Sequence, residues 1–151
     1  MGNPQERLQD ICWLAGLTDG DGCIAVQKQS NNGNGQLVPE LTISTTCKVT
    51  RDHLDTLFDR IEVGRHWTER TVTNQPNWKT RWVLQVRGMK RMKPLLMLLL
   101  PHLVTKRREA ELLLQFIESR LDAPMTRGYT PEQLGAIAEI KALKRERNGN
   151  L

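Results

Sequence analysis

The stretch Trp13–Gln27, WLAGLTDGDGCIAVQ, changes its periodicity halfway along. Up to Thr18 the apolar and small residues Leu8, Ile11, Cys12, Ala15 and Gly16 recur at i, i+3 and i+4, which predicts a helix over 5–18. From Cys23 the period becomes two. Ile24 and Val26 alternate with Cys23, Ala25, Gln27 and Gln29, which predicts a strand over 23–29. Between the two lies Asp19-Gly20-Asp21-Gly22. Acids at a helix C-terminus oppose the macrodipole by about 0.3–1 kcal/mol unless a cation is near. The two carboxylates therefore call for a positive partner. Ala15 and Gly16 leave almost no side chain on the helix, so that side suits close approach of a second helix.

Working outward, SNNGNGQ carries Asn32-Gly33 and Asn34-Gly35, which signal a hairpin because Asn and Gly tolerate positive φ. The return strand is expected over 38–48, with Leu41, Ile43 and Thr45 opposite Glu40, Thr42, Ser44 and Thr46. A helix over 50–61 follows, with Thr50 as its N-cap and Leu54, Leu57, Phe58 and Ile61 as its apolar face. Residues 65–73 and 79–87 predict a second hairpin around TNQPNW. Its last strand alternates Trp82, Leu84 and Val86 with Lys79, Arg81, Val83, Gln85 and Arg87, so one face is wet, basic and rich in amides. Helices are expected over 91–100, with Pro94 in the first turn, and over 103–121 after the break at Pro101. DAPMTRGY reads as a loop. Thr130-Pro131-Glu132-Gln133 matches a capping box that opens a final helix to about Arg147, beyond which the tail frays.

The element order is thus α-β-β-α-β-β-α-α-α, an α+β fold. An antiparallel sheet of two hairpins carries helices on one face and leaves a polar, basic face open. A length of 151 residues suits a single domain over 1–151 with a real core. The chain has 22 Lys+Arg against 17 Asp+Glu, and the excess is local. Arg65–Arg108 holds eleven basic residues and one acid, Glu69. Such a field points to a polyanion, nucleic acid before membrane. On the wet strand face, Gln27, Gln29, Thr42, Ser44, Lys79, Arg81, Gln85 and Arg87 are the side chains suited to base edges. Cys12, Cys23 and Cys47 fit a reduced intracellular protein, and they pair with none of His53, His66 and His102 at zinc spacing. No signal peptide is expected at the start. The longest apolar run, PLLMLLLPHLV, falls short of the ~20 residues that span a bilayer, so no membrane partner is expected.

LAGLTDGDG, Leu14–Gly22, resembles the nine-residue motif that names the LAGLIDADG homing endonucleases. It matches at Leu14, Ala15, Gly16, Leu17, Asp19, Asp21 and Gly22, and departs at Thr18 and Gly20. The resemblance implies an αββαββα core with a saddle-shaped antiparallel sheet that grips DNA, helices packed on one face, and extra C-terminal helices. One motif implies the homodimeric class, with the motif helices of two copies side by side. Leu8, Ile11, Cys12, Ala15 and Gly16 would then form the dimer interface.

The same resemblance implies site residues. Asp21 takes the position of the family's metal ligand, with the Gly20 carbonyl beside it, and the metal is Mg²⁺. PHLVTKRREAELLL resembles the segment carrying the catalytic-site lysine, which places that role on Lys106. A third polar residue, often Gln, ends the second strand. Here that position reads Cys47, and because a thiol bonds water poorly the role stays with Cys47, passes to Thr46 or Lys48, or is lost. Thr46 and Lys48 also count as DNA-binding candidates. The strand after Gly64 has two readings. Family register puts Arg65, Trp67 and Glu69 on the DNA face, whereas apolar burial puts His66, Thr68 and Arg70 there. Arg65 and Arg70 both stand as candidates.

The function implied is a site-specific double-strand cut in a long, nearly palindromic DNA target by metal-dependent phosphodiester hydrolysis. The expected location is an organelle (mitochondrion or chloroplast) or an archaeal or bacterial cytoplasm. The alternatives are an intron RNA maturase of the same fold, for which RNA is the partner, and a sequence-specific DNA-binding protein that no longer cleaves.

Overall fold

A computed structural model describes residues 3–29, 35–71, 79–122 and 128–149. The elements among the described residues are α1 (Pro4–Asp21), β1 (Gly22–Gln29), β2 (Gln36–Thr45), α2 (Lys48–Arg60), β3 (His66–Arg70), β4 (Arg81–Arg87), α3 (Met89–Leu99), a 3-10 turn (Leu100–His102), α4 (Arg107–Asp122) and α5 (Pro131–Arg147). The four strands form one antiparallel sheet in the order β1-β2-β4-β3, so the two hairpins join through β2 and β4. This is the α+β order expected from the sequence. The first two residues, residues 30–34 where a hairpin turn was expected, residues 72–78 with all of TNQPNW, residues 123–127 of the expected DAPMTRGY loop, and the last two residues lie outside the described residues.

Register decides the two faces. Ile24, Leu41 and Val86 lie in one row, and Ile43, Leu84 and Trp67 in the next. These side chains point toward the helices, and all but the half-buried Trp67 are fully buried. They pack with Leu14 of α1, Leu54, Leu57 and Phe58 of α2, and Met92, Leu95, Leu96 and Leu99 of α3. Burying each such side chain contributes about 1.5–3 kcal/mol. Leu112, Leu113, Phe116 and Ile117 of α4 extend this core, and Ile137 and Ile140 of α5 close it.

Several boundaries differ from expectation for local reasons. α1 runs three residues past 18 and absorbs Asp19-Gly20-Asp21. It stops at Gly22, whose extended backbone starts β1 while its N–H still bonds the Thr18 carbonyl. β2 ends at Thr45 rather than 48. The Thr45 hydroxyl accepts the Cys47 N–H at 3.1 Å, and the Cys47 carbonyl accepts the Arg51 N–H at 3.0 Å. Cys47, not Thr50, therefore holds the N-cap position of α2. α3 starts early because Gly88, at φ 100°, turns the chain out of β4. Pro94 consequently stands inside α3, in its second turn, rather than in the first. Residues 103–106 form a loop before α4. The capping box of α5 is present as expected: Gln133 N–H donates to the Thr130 hydroxyl at 3.1 Å, and Thr130 N–H to the Gln133 side chain at 3.0 Å. Among the described residues no helix is long and apolar enough to cross a membrane.

Candidate active site

The last turn of α1 faces the loop before α4. An α-helix leaves its last four carbonyls without internal partners. Here the Lys106 ammonium donates to the carbonyls of Thr18 at 2.9 Å and Asp19 at 2.7 Å. The Asp19 carboxylate accepts the Val104 N–H at 2.7 Å and the Lys106 N–H at 2.9 Å. The cation that an acidic helix end requires is therefore Lys106, which is only 5 % exposed. Burial pushes its pKa below the usual 10.5; the Arg147 charge pushes the same way, while Glu109 and Asp19 oppose.

Asp21 differs from Asp19. It is the final residue of α1, and its exposed carboxylate opens on a cleft lined by Ser44, Thr45, Thr46 and Arg81. Lys106 takes the carbonyls of Thr18 and Asp19, and the next carbonyl along the last turn is that of Gly20. A carboxylate beside peptide carbonyls is an all-oxygen donor set of the kind Mg²⁺ prefers. Among the described residues no three His, Cys, Asp or Glu converge.

The open sheet face starts at this cleft. The row Cys23–Thr42–Gln85–His66 crosses it, followed by Ser44–Val83–Thr68 and the Arg81–Arg70 pair. Gln27 and Gln29 extend it along β1, Arg87 along β4, and the exposed Lys79 just precedes β4. Two of the arginines are held from within the face. Arg81 donates to the Ser44 hydroxyl at 3.1 Å, and Arg87 pairs with buried Glu40 at 3.1 Å.

Three sequence expectations need correction. The register of β3 sets Trp67 opposite Leu84 on the helix side and puts His66, Thr68 and Arg70 on the open face. Arg65 is not on that face. Its guanidinium binds Asp55 at 2.9 Å and Asp59 at 2.7 Å on α2, because Trp67 gains more by burial than by exposure. Cys47 caps α2 away from the strand, so the residue sharing the cleft with Asp21 is Thr46. Lys48 opens α2 and pairs with Asp52 one turn on, at 3.1 Å. Finally, Ile11 and Ala15 are buried in the chain's own core, where they meet the helices behind the sheet. The exposed strip of α1 consists of Leu8, Cys12, Trp13, Gly16 and Gly20, and beyond Gly16 and Gly20 there is open space.

Sequence reasoning missed what α5 brings. The Lys144 ammonium lies 3.4 Å from the Cys23 sulfur, at the edge of the open face, and Arg147 binds Glu109 beside Lys106. The basic last turn of α5 was visible as charge, but no periodicity says where a terminal helix docks.

Among solved structures, the homing endonuclease I-CvuI in complex with its target in the presence of 2 mM Ca is similar over 92 % of this chain and 84 % of that one, at 23 % identity and a TM-score of 0.66. The LAGLIDADG homing endonuclease I-GzeII in complex with a DNA target is similar over 89 % of this chain and 43 % of that one, at 16 % identity and a TM-score of 0.57. This chain has the LAGLIDADG homing-endonuclease fold. A second I-CvuI complex, with the I-CreI target and 2 mM Mg and with the DNA not cleaved, matches over 97 % of this chain and 84 % of that one, at 22 % identity and a TM-score of 0.61. No protein-family model and no curated protein sequence matches the chain. The likeness is thus one of fold, and the LAGLIDADG motif lies in α1 beside the sheet.

Proposed function

We propose that this chain is a site-specific DNA endonuclease of the LAGLIDADG family that acts as a homodimer with Mg²⁺. The observation that carries the reading is the Asp21 carboxylate, exposed at the end of α1 and opening on a polar, basic sheet face. The similar folds of I-CvuI and I-GzeII, both in complex with DNA targets, support it.

In this reading Asp21 and the Gly20 carbonyl hold the metal. Bound there, Mg²⁺ supplies charge relief on the phosphoryl oxygens and an activated water. One carboxylate per chain suits a site completed by a second copy. The Leu8, Cys12, Gly16 and Gly20 strip of α1 is the surface for that copy, since small residues let two helices come close. Lys106 uses two of its three N–H donors on α1. Among the described residues the third finds no protein partner, and in this reading it meets a water or a phosphate oxygen while the fixed charge stabilises negative charge that develops nearby. Thr46 and Arg81 line the same cleft and orient water or phosphate.

The open face reads bases. Gln27, Gln29, Thr42, Ser44 and Gln85 offer paired donors and acceptors, and Arg70, Lys79, Arg81 and Arg87 add charge. Each good bidentate pair discriminates by about 1–3 kcal/mol.

The test is incubation of the purified protein with a randomised duplex library and Mg²⁺. Sequence-specific double-strand cuts that disappear in Asp21→Asn are expected. Specific binding without cutting would leave a DNA-binding protein, and stimulated splicing of a host intron would make it a maturase. Sedimentation is expected to show a dimer.

A further inference from the structure

Glu109 lies in the first turn of α4 and is only 2 % exposed. A carboxylate this deep calls for a hydrogen-bonded partner. Its partner is Arg147, the last residue of α5: Nη1 meets Oε1, and Nη2 donates to Oε2 at 3.1 Å. A fork-to-fork pair of this kind fixes geometry as well as charge. The Lys106 carbonyl accepts the Ala110 N–H at 3.0 Å, so α4 begins from Lys106. Lys106 is held on its other side by Thr18 and Asp19. One helical turn therefore separates the Arg147 anchor from the ammonium at the end of the motif helix.

We propose that Arg147 is a positioning residue for Lys106: by clamping Glu109 it fixes the first turn of α4, and that turn holds the Lys106 ammonium on the end of α1. The fifth helix thereby acts on a site to which its own sequence contributes no reacting group. The catalytic consequence rests on the nuclease reading above, whereas the positioning does not.

The test measures the two separately. In the folded wild type, acetic anhydride labelling followed by mass spectrometry is expected to find the Lys106 amine protected. In Arg147→Ala it becomes several-fold more reactive, while the other lysines are unchanged. In cleavage assays the same variant loses about 10²-fold in kcat, the scale of a misplaced catalytic group, with KM for DNA unchanged. Arg147→Lys, which keeps the charge but not the fork, recovers part of both. If Arg147→Ala does not fold, the doubly neutral Glu109→Gln/Arg147→Gln chain is measured beside Arg147→Lys. It removes the buried charge yet keeps hydrogen bonding, and is expected to protect Lys106 better than Arg147→Lys does. Unchanged Lys106 reactivity across the folded variants overturns the proposal, as does a loss seen only in KM. A wild type that cleaves nothing sinks the nuclease reading alone, because the labelling still decides the positioning.

Discussion

Lys106 grips Asp19 twice: its backbone N–H donates to the Asp19 carboxylate at 2.9 Å, and its ammonium donates to the Asp19 carbonyl at 2.7 Å. The Val104 N–H binds the other carboxylate oxygen at 2.7 Å. Asp19 is thus the anchor of residues 103–106, whereas the Asp21 carboxylate is exposed on the cleft. Asp19→Asn keeps one acceptor but sets an NH₂ group against a backbone donor. The expected cost is about 1–3 kcal/mol. Thermal unfolding reads it as a fall in Tm of about 2–4 °C per kcal/mol for a chain of this size. An unchanged Tm would mean that the loop is held by something else.

Two glycines of the motif are expected to respond in opposite directions. A Cβ at Gly22 would lie 2.8 Å from both the Thr18 Cα and its carbonyl oxygen, which are backbone atoms that cannot move aside. Gly22→Ala is expected to destabilise the fold by about 1–3 kcal/mol in urea unfolding. At Gly20 a Cβ meets nothing within 4 Å, and the residue is helical. Gly20→Ala is expected to stabilise the monomer by about 0.5–1 kcal/mol while weakening dimerisation in sedimentation. A Gly20→Ala chain that dimerises as well as the wild type would place the seam elsewhere on the surface.

Asp55 links stability to pH. The Trp67 indole N–H donates to its carboxylate at 2.9 Å and Arg65 Nε at 2.9 Å, and together they hold its pKa below 3.8, the indole having the larger effect. The folded chain binds this proton less tightly than the unfolded chain. The contribution is therefore complete above 3.8 and is lost as pH falls through the folded value. The side chain is 36 % exposed, so water weakens the effect. Urea unfolding at a series of pH values is expected to show Asp55→Asn less stable than the wild type at neutral pH, with the gap closing below about pH 4. A gap independent of pH would assign the loss to packing rather than to charge.

The period change at Trp13–Gln27 was enough to order α1 and β1, and the alternation of Leu84 and Val86 oriented β4, because burial imposes those periods directly. The junctions were less legible. Asp19-Gly20 looks like a helix stop until Lys106, 87 residues away, supplies the missing donors. The register of β3 was open for a related reason: Arg65 and Trp67 both find partners in Asp55, and only the packed helix α2 shows that they share it. Ile11 and Ala15 looked like a seam because small and apolar residues serve a core or an interface equally well. Arg147 was out of reach, since a buried pair between two helices leaves no pattern in either.

Cys47 and Thr46 divide what the sequence assigned to one position. Cys47 stands at the N-cap of α2 and its thiol makes no capping hydrogen bond. Ser is among the preferred caps, so Cys47→Ser is expected to stabilise the chain by about 0.5–1 kcal/mol and to leave cleavage unchanged. Thr46 is exposed and lines the cleft with Asp21. Thr46→Val keeps its shape and removes the hydroxyl. It is expected to leave Tm unchanged and to lower kcat by about tenfold, the effect of losing one modest hydrogen bond of ~1.4 kcal/mol in the transition state. The reverse outcome, cleavage lost in Cys47→Ser and kept in Thr46→Val, would return the water-organising role to the thiol. It would also require the start of α2 to rearrange when DNA binds, because in this structure the Thr45 hydroxyl holds the Cys47 N–H at 3.1 Å and ties the cap to the end of β2.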